Sequence, residues 1–365
     1  MKFSIRKNSR PHSKGRSVVL WCGLFCISII LNLAARTIPG FAEKYAVRVY
    51  PVIVGILGRI SSLFPFSVSE ILIYMAVFLM LVGIIQQCRK KWKLSEAVSI
   101  LLKTGVILFA LFTLNCGINY QRTTFSERAG FSLQKSTEEE LVALCEFLVE
   151  EVNQAAEGLQ VDEDGYCLVE GDISQDAKAA MQKAAEEYPE LSGYYPDAKP
   201  VLSTWFLSSQ LLQGMYSPFT VEANYNNGMP DYDKPSTICH ELSHLKGFMR
   251  EDEANFISYL ACRVSDSQEF RYSGSLMAYV YAGNALFRQD LEAFRQVREK
   301  LCDQAVRDLT NHNAYWDQYR GTVSEVSDKI NDAYLKANSQ EDGVKSYGRM
   351  VDLLLAWNRE RRDEM

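Results

Sequence analysis

Apolar residues run almost unbroken through three stretches of the first third of this chain, then thin into an amphipathic repeat. From Ser17 to Ala35 about 19 residues carry no charge, enough to cross a hydrocarbon layer of roughly 30 Å as a helix. A second run covers about 67–85 and a third about 97–118, the latter interrupted near its start by Lys103, whose long side chain can reach back to the interface. Predicted transmembrane helices therefore lie at about 17–35, 67–85 and 97–118, and residues 1–118 read as a membrane anchor. Between the first two, residues 41–66 mix Glu43, Lys44, Arg48 and Arg59 with Tyr50, Val52, Ile53, Ile56, Leu57 and Ile60 at near-helical spacing. That pattern predicts an amphipathic helix resting at the bilayer surface or packing on the following domain, with a lid over a substrate path as the functional alternative.

Residues 119–365 turn polar and predict a second, mostly helical domain. Ser136-Thr137-Glu138-Glu139-Glu140 offers a capping box, and Leu141, Leu144, Cys145, Leu148 and Val152 mark one helix face after it. Further helical patterns fall at about 173–189, 274–286, 289–309, 322–337 and 345–358. The acidic stretch 161–172 lacks the strict order of a calcium loop and reads as a turn. Phe219, Val221, Ala223 and Tyr225 alternate with Thr220, Glu222, Asn224 and Asn226 before the turn pair Asn227-Gly228, which predicts a strand. A strand there, just before the segment described next, would hold extended peptide by backbone hydrogen bonds through Thr220, Glu222 and Asn224, or form an ordinary hairpin. Glu222 could instead contact a substrate amine.

Cys239-His240-Glu241-Leu242-Ser243-His244 reads HExxH, and helical spacing puts His240 and His244 on one face where two imidazoles can meet one ion. Two of the chain's four histidines fall in this single turn. Catalytic zinc takes three protein ligands and keeps one position open, and Glu251, Asp252 and Glu253 follow closely as acidic candidates. Gly247 permits the backbone reversal that would bring the next helix back to the ion. Cys239 lies about 100° round the helix from the histidine face and reads as core.

With Glu251-Asp252-Glu253-Ala254-Asn255 behind it, the HExxH order resembles that of the glutamate-ligand zinc metallopeptidases, the gluzincins. The resemblance covers about 20 residues. It implies that His240, His244 and Glu251 hold one Zn²⁺ per chain, that Glu241 activates a water, and that Asn255 orients a ligand histidine. Two departures stand out: the family's usual Asp is Asn255 here, and only six residues separate His244 from Glu251, a return as short as in the metzincins. Glu251 is favoured as third ligand and Glu253 stays open. Over most of its length the chain also resembles an uncharacterised bacterial membrane family, domain of unknown function 3810. That likeness rests on the three-helix start, the phrase SPFTVEANYN at 217–226 and the ending KSYGRMVDLLLAW at 345–357.

The expected fold is thus mainly α, three transmembrane helices followed by a mostly helical zincin-like α+β domain with a small sheet. Tyr347, Arg349 and His312 are candidate donors to a developing oxyanion, each with a packing or surface alternative. The chain of 365 residues has net charge −6, and nothing in that balance suggests a nucleic-acid partner. Basic residues cluster at 1–16 and 89–93, beside membrane segments. The positive-inside rule places both in the cytoplasm of a bacterium and everything after about residue 119 outside its cytoplasmic membrane. A cleaved signal peptide ending near Gly40-Phe41-Ala42 is the alternative, disfavoured by the length of the first apolar run. Nine scattered cysteines without a Cys-x-x-Cys pair argue against a disulfide framework. The reading is a multi-pass, membrane-anchored zinc metallopeptidase acting on peptides or envelope proteins. Alternatives are a non-catalytic envelope sensor or assembly protein with a structural metal, and a metal-dependent amidase acting on cell-wall amides.

Overall fold

Three long apolar helices open the chain: α1 (His12–Thr37), α2 (Val68–Cys88) and α3 (Leu94–Phe112), the last prolonged by a π-helical turn, Thr113–Gly117, and a 3-10 turn, Asn119–Gln121. The computed structural model describes residues 12–89, 94–338, 340 and 349–364. Helices long and apolar enough to cross a membrane cover Arg16–Thr37, Val68–Cys88 and Ser95–Gln121, in line with the three expected runs. The basic residues of 1–11 and 90–93, which carry most of the expected orientation, lie outside the described residues.

All three spans meet the rest of the chain at one end. Asn32 Nδ2 at the end of α1 donates to Thr113 Oγ1 of the third span at 2.8 Å, and that span's Asn115 Nδ2 donates to Pro218 O at 2.6 Å. The start of α2 is held differently. Glu222, fully buried, accepts the Val68 and Ser69 backbone N–H groups at 3.1 and 2.8 Å, and the buried Lys199 ammonium pairs with the same carboxylate. A carboxylate on the open first turn of a helix satisfies donors that have no partner within the helix and meets the positive end of its dipole.

The segment between α1 and α2 is helical over Phe41–Arg48, Tyr50–Ile53 and Arg59–Ser61, with a π-helical turn at Val54–Gly58. Its apolar residues point two ways. Tyr45, Tyr50 and Val54 are buried, while Val52, Ile56 and Ile60 stand exposed.

Behind the spans lies a helical body around a small sheet. Helix α4 (Glu138–Ala156) begins at the expected capping box, with Thr137 Oγ1 accepting Glu140 N–H at 3.3 Å and Glu140 Oε2 accepting Thr137 N–H at 2.8 Å. Leu141, Leu144, Cys145, Leu148 and Val152 are buried along it as predicted. Helix α5 (Ile173–Glu187) follows, then the strands β1 (Lys199–Pro200), β2 (Gly214–Ser217) and β3 (Glu222–Tyr225) in spatial order β1-β3-β2. β1 runs parallel to β3; β2 is antiparallel to it, with Met215 opposite Asn224.

Next come α6 (Asp233–Leu245), α7 (Glu251–Val264) and α8 (Gln268–Gln289), packed as consecutive neighbours with α8 against α4. Gly274 lets α8 approach α7 closely, since a Cβ there would lie 2.4 Å from Cys262 Cβ. The predicted helix at 289–309 is two helices, Leu291–Arg298 and Asp303–Asp317, broken at 299–302. Helices α9 (Thr322–Ala337) and α10 (Met350–Glu364) complete the described chain. All nine cysteines are free thiols, and Cys239 is buried core as its helix phase predicts.

Candidate metal centre

Helix α6 carries both histidines and ends where it must. Gly247 takes φ +85°, a left-handed conformation suited to glycine. Phe248 N–H then donates back to Ser243 O at 3.2 Å and Gly247 N–H to His244 O at 2.9 Å, the paired bonds of a Schellman motif. Arg122 secures this turn from the end of the third span, donating to Lys246 O at 2.8 Å while its guanidinium lies 3.9 Å from the Phe248 ring centre. The reversal starts α7 at Glu251, directly against the histidine face.

His240, His244 and Glu251 converge so that their ligand atoms lie within 4.8 Å of one another. The other ring nitrogens are occupied. His240 Nδ1 donates to Asn255 Oδ1 at 2.8 Å, and Asn255 Nδ2 donates to Tyr281 OH at 3.1 Å, which fixes the amide's orientation. His244 Nδ1 donates to Phe248 O at 2.8 Å. Both Nε2 atoms are thereby left as acceptors facing Glu251, at 3.2 Å from His240 and 3.8 Å from His244. Burial lowers both imidazoles; at His240 the closer Glu251 carboxylate outweighs it and the pKa is raised, while His244 falls to about 4.

Glu253, the other candidate ligand, turns away. It is buried and accepts Phe125 N–H at 2.9 Å, so its carboxylate is committed to a segment far earlier in the chain.

Glu241 is buried beside the cluster. Desolvation pushes its carboxyl up to about 8, with Glu251 adding to the push and His240 and the Tyr216 backbone N–H opposing it. Among the described residues its Oε2 has no hydrogen-bond partner. Gly214 of β2 makes room for it, since a Cβ at that position would meet Glu241 Oε1 at 2.5 Å.

These groups line a cavity of about 1080 Å³ that also takes in Tyr216, Asp233, His312 and Tyr334. His312 Nδ1 meets Asp233 Oδ2 at 2.8 Å. Asp233 escaped the sequence reading, although a signal was there: it lies seven residues before His240, two turns back on the same helix face. Arg349 Nε donates to Asp252 Oδ2 at 3.1 Å, and Arg349 is not among the residues lining the cavity. Tyr347 lies outside the described residues.

The sheet edge differs from expectation. Glu222 and Asn224 sit in β3, the central strand, and Thr220 lies in the turn before it. The edges are β1 and β2, and it is β2 whose Gly214, Met215 and Tyr216 line the cavity. Glu222 reaches no substrate space because it is buried on the start of α2. Tyr216 also ties the centre to the membrane segments: its hydroxyl lies 2.9 Å from that of Tyr50 and donates to Asn115 O at 3.0 Å.

Removal of the Asn255 amide should loosen His240 without deleting a ligand. Asn255→Ala is expected to weaken metal binding about 10–100-fold, read by competition with a chromogenic chelator. Unchanged affinity would show that Asn255 does not position the ring.

Over residues 45–355 the sequence matches the family described as "Protein of unknown function (DUF3810)". No curated protein and no solved structure matches it.

Proposed function

We propose that this chain, which belongs to the DUF3810 family, is a membrane-anchored zinc-dependent peptidase whose ion is held by His240, His244 and Glu251. The observation that carries the reading is the convergence of two imidazole Nε2 atoms and a carboxylate within 4.8 Å, beside a buried carboxylate oxygen with no partner among the described residues. The donor set fits zinc: two neutral imidazoles fixed through Nδ1 and one carboxylate, on the wall of a cavity that leaves a further position accessible. Zinc bound there would supply Lewis acidity and bring water into play as a nucleophile near neutral pH.

The chain's own groups supply the remainder. Glu241 takes the proton of the attacking water at Oε2 and returns it to the leaving nitrogen. Burial and the Tyr216 N–H hold that carboxylate in place. Extended peptide main chain pairs along β2, the sheet edge on the cavity wall. His312 lines the same cavity with its Nδ1 held by Asp233, which leaves Nε2 of the neutral ring as an acceptor for a substrate N–H. A purely structural metal would want a closed shell, and among the described residues the group is these three on an open wall. The metal domain faces away from the cytoplasm on the positive-inside argument, which makes envelope polypeptides its substrates.

Elemental analysis of the purified full chain tests the centre. About one zinc per chain is expected in wild type and in Glu253→Ala, and a loss in His240→Ala and Glu251→Ala. Retention in Glu251→Ala, or no metal in folded wild type, would sink the reading. The full chain is required because Tyr50 and Arg122 pack on the helix that bears both histidines.

A further inference from the structure

Part of the metal cavity is lined by residues that abut the ends of the three spans, among them Phe112, Phe219 and Tyr334, and other exposed apolar residues are tied to those same ends. On one side, Glu70 in the first turn of α2 accepts the Leu202 and Ser203 backbone N–H groups, each at 2.7 Å. This fixes the short helix Thr204–Ser208 at the level where α2 begins, and there Leu202, Trp205 and Phe206 are 67%, 66% and 52% exposed. On another side, Asn115 at the end of the third span holds Pro218 O, and the next residue, Phe219, is exposed and lines the cavity. On the third side stands α9. Its C-terminal Ala337 O accepts Arg36 Nη2 from the end of α1 at 3.2 Å, and its Tyr334 ring packs edge-on to Phe112 of α3, centroids 6.2 Å apart.

Helix α9 is amphipathic in an informative way. Ser327, Asp328, Asn331 and Tyr334 line the cavity, whereas Val323, Val326 and Ile330 form a stripe exposed to the surroundings. The stripe continues through Tyr334 onto Phe112, which belongs to a span and itself lines the cavity. In the segment after α1, Val52, Ile56 and Ile60 are exposed as well. Bulky apolar and aromatic side chains, exposed and level with the ends of three apolar spans, match the composition of a membrane interface. A second copy of the chain would cover one such face; the bilayer meets all of them, because each follows a span or is tied to the end of one.

We infer that the cavity opens into the headgroup layer of the bilayer, with Leu202, Trp205, Phe206 and the Val323–Ile330 stripe dipping into it, and that the substrate is a polypeptide tethered to that bilayer close to the bond cleaved. This rests on the peptidase reading for the reaction, and on the placement of the rim for the class of substrate. A tethered chain is delivered to the mouth at high effective concentration, whereas a free peptide has to find a cleft that faces lipid.

The test uses the full zinc-loaded chain in liposomes of phosphatidylethanolamine and phosphatidylglycerol doped with a phospholipid carrying a diazirine in its acyl chain. After irradiation, mass spectrometry is expected to find lipid adducts on Leu202–Phe206 and on Val323–Ile330 as well as on the spans. Adducts confined to the spans would overturn the placement. In the same liposomes, a randomised decapeptide pool is compared with and without an N-terminal palmitoyl chain. Cleavage of the palmitoylated pool is expected to be about 10²-fold faster or more. Equal cleavage of both pools would overturn the substrate class while leaving the peptidase intact. Cleavage of neither pool, with the rim labelled, would overturn the peptidase reading and the substrate class with it, and would support the membrane-facing mouth alone.

Discussion

Glu241→Gln is expected to keep its metal and its fold and to lose about 10²–10⁴-fold in turnover. The side chain is isosteric, and Gly214 already shapes the backbone around it, so the change removes basicity and little else. Desolvation of the carboxylate is the main opposing force at this position, and a neutral amide escapes it, so thermal stability should hold or rise. Elemental analysis, thermal unfolding and peptide turnover on one preparation separate the possibilities. Turnover equal to wild type with full metal would remove Glu241 from the reaction; metal lost together with turnover would make it part of the metal's support.

Glu222→Ala is expected to lower stability by about 3–5 kcal/mol, because it leaves the Lys199 ammonium buried without its partner carboxylate. Two backbone donors at the start of α2 lose their acceptor in the same stroke. The fall in Tm should be on the order of 10 °C. Pairing the change with Lys199→Met should recover part of the loss, because the uncompensated charge goes while the two N–H groups stay unsatisfied. A single variant as stable as wild type would mean that Lys199 finds another acceptor.

The histidine pair was legible because i, i+4 spacing is a local property of one helix. Glu251 was favoured on its place in the motif, but what turns Glu253 away was not legible, since it depends on Phe125, more than a hundred residues earlier, holding the Glu253 carboxylate. Three apolar spans could be read from length alone, and the capping box at Thr137 from four residues. The sheet edge was misplaced for a specific reason. Val221 adopts φ +57°, a conformation costly for a β-branched residue, so the alternating run is a turn up to Val221 and a strand only from Glu222. The edge on the cavity side, Gly214-Met215-Tyr216-Ser217, has no alternation that marks it. The contacts of the membrane segments with the centre, such as Tyr50 on Tyr216 and Arg122 on the end of α6, are long-range packing that periodicity does not encode.

Those same contacts bear on how the protein is made. Tyr50, Asn115 and Arg122 lie ahead of His240 in the chain, and each belongs to a segment that borders or ends a span. The turn after His244 closes on its own backbone bonds, but the contacts that hold it from outside come from segments that border the spans. The histidine pair forms within one helix, whereas its support is shared with the apolar helices, so seating those helices would firm the centre from outside. A centre supported in this way would be steadiest once the apolar helices have found their place, which would confine its full order to the finished, seated chain.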